Sequence, residues 1–389
     1  MSEAQAAAAG VMSTVDILDR LIAFDTVSAK SNLALIDWVE AFLREHGARV
    51  TRVTDPDAPK AGLIAEIGPE GAGVMLSAHT DVVPVEGQAW SRDPFRLTRE
   101  GSRLYGRGTT DMKGYLAAML SAASRASGMA LREPLKLSIS WDEEVGCLGI
   151  AKMRDVLAGA TPLPRLCLVG EPTEMQVATG HKGKRAIRAV CHGEAGHSAL
   201  APRFVNALHL AAGLVHGVQA LQADYATKGA RDPGYGVPYT TLHVGRVTGG
   251  TALNIVPDRA EVIFEFRHLA ADAPETLMGR IEAMAAEVEQ ANPGGRIELE
   301  SMVSYPGLDT PADSAATGLV QRLAQVNGTT KVAFGTEAGT FDGLGIPTLV
   351  CGPGSMEGQG HKPDEYVEEA QLAACDAMLG RVLEELRGA

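Results

Sequence analysis

Four apolar runs of strand type in this chain each lead into a histidine or a carboxylate, and that repetition limits the fold more than any other feature. Val74–Ser77 runs into Ala78-His79-Thr80-Asp81, and Leu135–Ser140 into Trp141-Asp142-Glu143-Glu144. Arg165–Val169 runs into Gly170-Glu171-Pro172-Thr173, and the strand ending at Cys351 leads through Gly352-Pro353-Gly354 to Gly360-His361. Charge at the end of a buried strand is costly unless a cation or hydrogen-bond donors neutralise it. Open α/β sheets collect their functional groups at such strand ends, along one rim. Helical patterns precede the runs at Val15–Phe24 and in a second helix capped by Ser31 or Asn32, and the small-residue stretch Tyr115–Ser127 separates the first run from the second. The expectation is a largely parallel central sheet with helices on both faces.

After Glu171 the texture changes. A strand at Arg185–His192, a helix from Asn206, strands at Thr240–Val247 and Ala260–Arg267 and a helix from Pro274 to Gln290 suggest a small α+β unit. The first texture then resumes with helix Asp313–Asn327, strand Thr348–Cys351 and helix Glu369–Leu386. At 389 residues the chain exceeds one ordinary core. The predicted organisation is therefore a discontinuous domain, residues 1–180 and 296–389, around an insertion at 181–295.

Composition removes several function classes. A net charge of −13 disfavours nucleic acid as a partner, because an acidic surface repels phosphates. No stretch approaches the roughly 20 apolar residues of a membrane span. Cys147, Cys167, Cys191, Cys351 and Cys375 are odd in number and never spaced as C-x-x-C, so neither a disulfide framework nor a zinc ribbon is indicated. The alanine-rich start carries Glu3 and no Lys or Arg before Arg20, unlike a signal peptide, and a cytoplasmic location is expected.

Side chains alternate along a strand, so His79 and Asp81 lie on one side together. Gly106-Arg107-Gly108-Thr109-Thr110-Asp111 opens the Tyr115 helix. A nicotinamide-binding turn is conceivable there, but Asp111 stands in place of the third glycine and would repel a pyrophosphate. A cation suits the site better. Two histidines and three carboxylates without cysteine fit two divalent metals, zinc favoured and cobalt or manganese possible. Such paired ions share a bridging carboxylate and a water.

The segments AHTDVVP, GRGTTDMKG, WDEEVG, GEPT and GPGSMEGQGHKPDEY, in this order, resemble the M20 family of metal-dependent peptidases and deacylases over nearly the whole chain. Thr26-Val-Ser, Ser31-Asn-Leu-Ala-Leu, Gly180-His-Lys-Gly and Gly335-Thr-Glu-Ala look like its branch that deacetylates acetylornithine. The resemblance implies a zinc-peptidase-like catalytic domain carrying a ferredoxin-like lid that joins two subunits into a homodimer. It implies that His79, Asp111 and Glu171 hold one metal, and Asp111, Glu144 and His361 the other. Asp81 would orient His79, Glu143 would be the general base, and the Asp111–Met112 peptide would be cis. His197, in Gly193-Glu-Ala-Gly-His-Ser, would reach the partner's active site and stabilise the oxyanion. Asn254 would contact substrate and Arg267 its α-carboxylate, although the aspartate and proline that often flank this arginine are missing. Glu337 is either a solvated loop carboxylate or a partner for the cationic amine of ornithine. The implied reaction is hydrolysis of a small N-acyl amino acid, N2-acetyl-L-ornithine above all, with desuccinylase, aminoacylase and glutamate-releasing carboxypeptidase activities as alternatives.

Overall fold

A computed structural model describes residues 12–388. Most of the alanine-rich start therefore lies outside the described residues. Helix α1 (Thr14–Ile22) opens on a capping box in which Ser13 and Asp16 satisfy each other's backbone N–H groups. Helix α2 (Leu33–Glu45) follows, then strands β1 (Arg49–Thr54), β2 (Ala61–Ile67) and β3 (Val74–His79). Asn32 stands at the α2 N-cap without capping it. Its amide instead brackets the Ala61 backbone, accepting from N at 3.0 Å and donating to O at 2.8 Å. Helix α3 (Lys113–Ser127), β4 (Leu135–Ser140), α4 (Leu148–Ala158), β5 (Leu166–Pro172) and β6 (Val177–His181) come next.

The chain continues through β7 (Gly183–His192), α5 (Ala207–Lys228), β8 (Thr241–Gly249), β9 (Arg259–His268), α6 (Pro274–Ala291) and β10 (Arg296–Tyr305). It ends with α7 (Ala315–Ala324), the short α8 (Ala338–Asp342), β11 (Thr348–Gly352) and α9 (Glu369–Arg387). Two compact units result. One runs through Gly180 and includes Leu308–Val332 and the chain from Thr336; the other holds His181–Gly307 and Ala333–Gly335. The second unit thus extends past residue 295. The extra piece is β10, which pairs antiparallel with β7 and belongs to the same sheet as the rest of that unit.

In the first unit the sheet order is β1-β2-β4-β3-β5-β11-β6, closed at the far edge by Leu308–Asp309. The four inner strands, β4, β3, β5 and β11, are parallel; β1, β2 and β6 add antiparallel flanks. Every residue of those inner strands is buried. Strand residues face alternate sides, so both faces are covered. Helix α3 can lie close because it is mostly alanine and serine, and it packs against α1 and α9. Gly170 on β5 makes that approach possible: a Cβ there would sit 1.9 Å from the Tyr115 ring.

The second unit is an antiparallel sheet in the order β8-β9-β7-β10. Strand β9 alternates buried and half-buried residues, and Val262, Phe264 and Phe266 form a core with Leu210, Leu214 and Ile281 of α5 and α6. Charged pairs such as Arg188 with Glu261 and Glu300 also sit on these strands. Among the described residues no helix is long and apolar enough to cross a membrane.

Candidate metal centre

Parallel pairing aligns the ends of β3 and β4, with His79 opposite Ser140, and places β5 on the other side of β3. Three ligand-bearing segments therefore emerge together. His79 is the last residue of β3 and is 1% exposed. Its Nδ1 lies 3.0 Å from the Asp81 carbonyl oxygen, an acceptor only, so Nδ1 carries a proton and Nε2 is the nitrogen turned to the acids. Nε2 lies 3.2 Å from Asp111 Oδ1 and 3.6 Å from Glu171 Oε1. The second oxygen of Asp111, Oδ2, lies 3.1 Å from Nε2 of His361, and Glu144 Oε2 lies 3.0 Å from that same nitrogen. One carboxylate thus stands between two imidazoles with one oxygen turned to each. The Asp111–Met112 peptide is cis.

The Asp81 carboxylate stands beside His79 Nδ1 and has a second task as well. It is 3.5 Å from His79 but accepts from Ser28 Oγ at 2.7 Å and from the backbone N–H groups of Glu143 and Glu144 at 3.0 and 3.3 Å. The carbonyl of Asp81 orients the histidine, while its carboxylate pins the loop that carries the next two acids. Asp142 turns away from that loop to pair with Lys60. Glu143 is half-buried, and the Cys147 thiol donates to its Oε1 at 3.3 Å. Sequence reasoning gave no site role to Lys60, Ser28 or Cys147, because each is a generic residue until the fold brings it to an acid.

The electrostatics show an excess of buried acid. Burial, reinforced by Asp111, raises Glu144 to about 7. Burial likewise pushes Glu143 and Glu171 well above the usual carboxylate range, with neighbouring acids adding to it. Asp111 moves the other way: burial opposes its ionisation, but hydrogen bonds from His361 and His79 outweigh it. His361 is raised to about 10 by Asp111 and Glu144. With only protein groups present, the acids hold protons that divalent cations would replace.

The residues fit such cations on a further ground. Glu144 Oε1 and Glu171 Oε1 are buried and have no hydrogen-bond partner, an expensive state for carboxylate oxygens unless something else binds them. Among the described residues, His79 forms ligand-spaced groups with Asp111 and Glu144 and with Glu143 and Glu171. The ligand chemistry, imidazole and carboxylate, suits zinc, cobalt or manganese.

Glu337 is not a solvent-facing loop carboxylate. It is 1% exposed and accepts hydrogen bonds from Ser140 Oγ and, at 3.4 Å, from Ser77 Oγ. Each of its oxygens accepts from one serine beside the strand ends that carry the other acids. His197, Asn254 and Arg267 belong to the second unit. His197 is exposed on a two-residue ladder, Gly196–His197 against Ile255–Val256, beside the exposed Asn254. Its Nδ1 accepts from Ala199 N at 3.1 Å, which leaves Nε2 as the donor nitrogen. Arg267 Nε donates to Glu265 Oε1 at 3.0 Å, and the side chain lines a cavity of about 290 Å³ with Lys182, Tyr235 and Thr241.

Comparison with known proteins gives consistent results. The family model described as Peptidase family M20/M25/M40 matches residues 75–385. The acetylornithine deacetylase of Myxococcus xanthus is 32% identical over 379 residues, covering 95% of this chain and 97% of its own. That of Klebsiella pneumoniae is 33% identical over 377 residues, covering 95% and 96%. Among solved structures, the metallo-carboxypeptidase Sso-CP2 from Sulfolobus solfataricus aligns with a TM-score of 0.79 at 17% identity, covering 97% of this chain and 100% of that one. The YXEP protein of Bacillus subtilis, described as a dinuclear metal binding peptidase, aligns at 0.69 and 16% identity, covering 96% and 97%.

Proposed function

The chain belongs to peptidase family M20/M25/M40 and is a metal-dependent amidohydrolase; from that premise we propose that it removes the acetyl group of N2-acetyl-L-ornithine. The observation that carries the chemistry is Asp111, with one carboxylate oxygen at each of two ligand-ready histidines and Glu143 close by. The choice of substrate is supported by relatives matching at about full length.

His79, Asp111 and Glu171 hold one divalent ion, and Asp111, Glu144 and His361 the other, zinc being the ion of choice. Bound there, the ions supply a polarised acyl carbonyl and an attacking water acidic enough to ionise near neutral pH. The protein's own part is proton handling. Glu143 takes the water's proton and returns it to the leaving amine, a task helped by its raised proton affinity. The Cys147 thiol fixes one oxygen of that carboxylate, and Asp81 fixes the backbone behind it.

In the second unit, His197 serves as oxyanion donor through Nε2–H, offered to a partner subunit in a homodimer joined through that unit. Asn254 contacts the substrate and Arg267 receives the α-carboxylate, for which a guanidinium fork is suited. The cytoplasm is the proposed location.

The deciding experiment measures hydrolysis of N2-acetylornithine, N-succinyl-diaminopimelate, N-acetylmethionine and a dipeptide by purified protein supplied with zinc or cobalt. A kcat/KM at least about tenfold higher on acetylornithine, about 1.4 kcal/mol of preference, supports the substrate. A comparable preference for any other compound replaces it, and no hydrolysis of any of them rejects the reaction.

A further inference from the structure

Glu365 lies four residues beyond His361 and is 1% exposed. Its carboxylate accepts four hydrogen bonds, all from the loop that delivers Asp111. Oε2 receives Arg107 Nη1 at 2.6 Å and Gly108 N at 3.0 Å; Oε1 receives Thr110 N at 2.9 Å and Asp111 N at 3.1 Å. The other arm of the Arg107 guanidinium, Nη2, donates to Gln88 Oε1, and Gln88 Nε2 donates to the His361 carbonyl oxygen at 3.0 Å. His361 and Glu365 share one segment, so these contacts close a ring: Asp111 to Glu365, Glu365 to Arg107, Arg107 to Gln88, and Gln88 back to His361. The ring contains no metal ligand atom, yet it grips the backbone of two ligands.

His361 needs such a grip. Its φ is 60°, in the left-handed region that a residue with a Cβ enters only at a cost, and Asp364 at 54° is placed likewise. It is also the most exposed of the five ligands, with a side chain 45% open to solvent. His79 has no comparable need, since it completes a fully buried strand.

We propose that Glu365 and Arg107 are positioning residues that set metal affinity at the Asp111–Glu144–His361 subsite more strongly than at the subsite on the side of His79 and Glu171. The proposal rests on the two-metal reading above. A carboxylate that merely held the fold together would weaken both subsites alike, whereas this ring holds one ligand that both subsites share, Asp111, and one that belongs to the exposed subsite alone, His361, so that subsite loses more.

The test titrates metal-free protein with cobalt(II), following heat and visible absorption, in wild type, Glu365→Gln, Arg107→Lys and Gln88→Met. A His361→Gln control identifies which binding event belongs to the exposed subsite. That event is expected to weaken by about 10–100-fold in Glu365→Gln and measurably in Gln88→Met, while the other stays within about threefold. Arg107→Lys keeps the charge but cannot span both partners, and an intermediate loss is expected. Should Glu365→Gln fail to fold, Gln88→Met decides, because that side chain is half-buried at the end of the ring. Equal weakening of both events, or none, overturns the proposal. Wild-type protein that binds no cobalt overturns the metal reading together with it; wild type that binds two ions, with variants to match, overturns this proposal alone.

Discussion

Replacing Glu143 by glutamine is expected to lower kcat by at least about 100-fold while elemental analysis still finds a full complement of metal, because the side chain moves a proton without being needed as a ligand. Near-normal turnover would remove it as the base. Glu337 behaves differently. Burial raises it to about 7 from an ordinary 4.5, against the pull of the Ser140 hydrogen bond. Below 4.5 both folded and unfolded chains hold the proton. Between 4.5 and about 7 the folded chain keeps a proton that the unfolded chain has lost, so stability falls as pH rises across that window. In metal-free protein, the melting temperature of Glu337→Gln relative to wild type should climb from about pH 5 to about pH 8. A constant difference would contradict a buried carboxylate. If the carboxylate also selects a cationic side chain, the variant loses more acetylornithine than acetylmethionine hydrolysis, and equal losses discard that role. Candidate ligands were legible in the sequence because few residue types bind metal and five of them followed strand ends or opened a helix. Glu337 was not, since Gly335-Thr-Glu-Ala reads as a loop and only the packed sheet shows Ser77 and Ser140 waiting for it.

Strands β3, β4 and β5 could be read from the sequence because burial on both faces demands mainly apolar runs, and α3 because small residues recur from Ala117 to Ser127. Strand β10 could not. Arg-Ile-Glu-Leu-Glu-Ser-Met-Val-Ser-Tyr is an edge strand, exposed or half-buried along its length, and such a segment carries little apolar signal. Its omission is why the insertion was expected to end near 295. The close approach of β5 to α3 makes a sharp prediction at this scale. Gly170→Ala would drive a methyl group into the Tyr115 ring, and the loss of stability by chemical denaturation should be about 1–3 kcal/mol or more. Gly236→Ala, where nothing lies within 4 Å of the added methyl group, is the matched control and should stay within about 0.5 kcal/mol.

Taken as a whole, the molecule concentrates buried negative charge at one rim, and its stability should therefore depend on cations. Chelation is expected to lower the melting temperature and abolish hydrolysis, and zinc or cobalt at 100 times its dissociation constant should restore about 2.7 kcal/mol. At one fixed metal concentration the increment should be larger at about pH 8 than at about pH 6, because Glu144, raised to about 7, is released from its proton by then and binds the ion more tightly. A melting temperature indifferent to chelator would contradict the centre. The candidate ligands begin at residue 79 and finish at residue 361, with a whole second unit synthesised between them. A nascent chain therefore has no complete cage until residue 361 has been made, after the whole second unit. Completion of the cage consequently waits on the second unit, and a chain cut before residue 361 lacks the last of its donors.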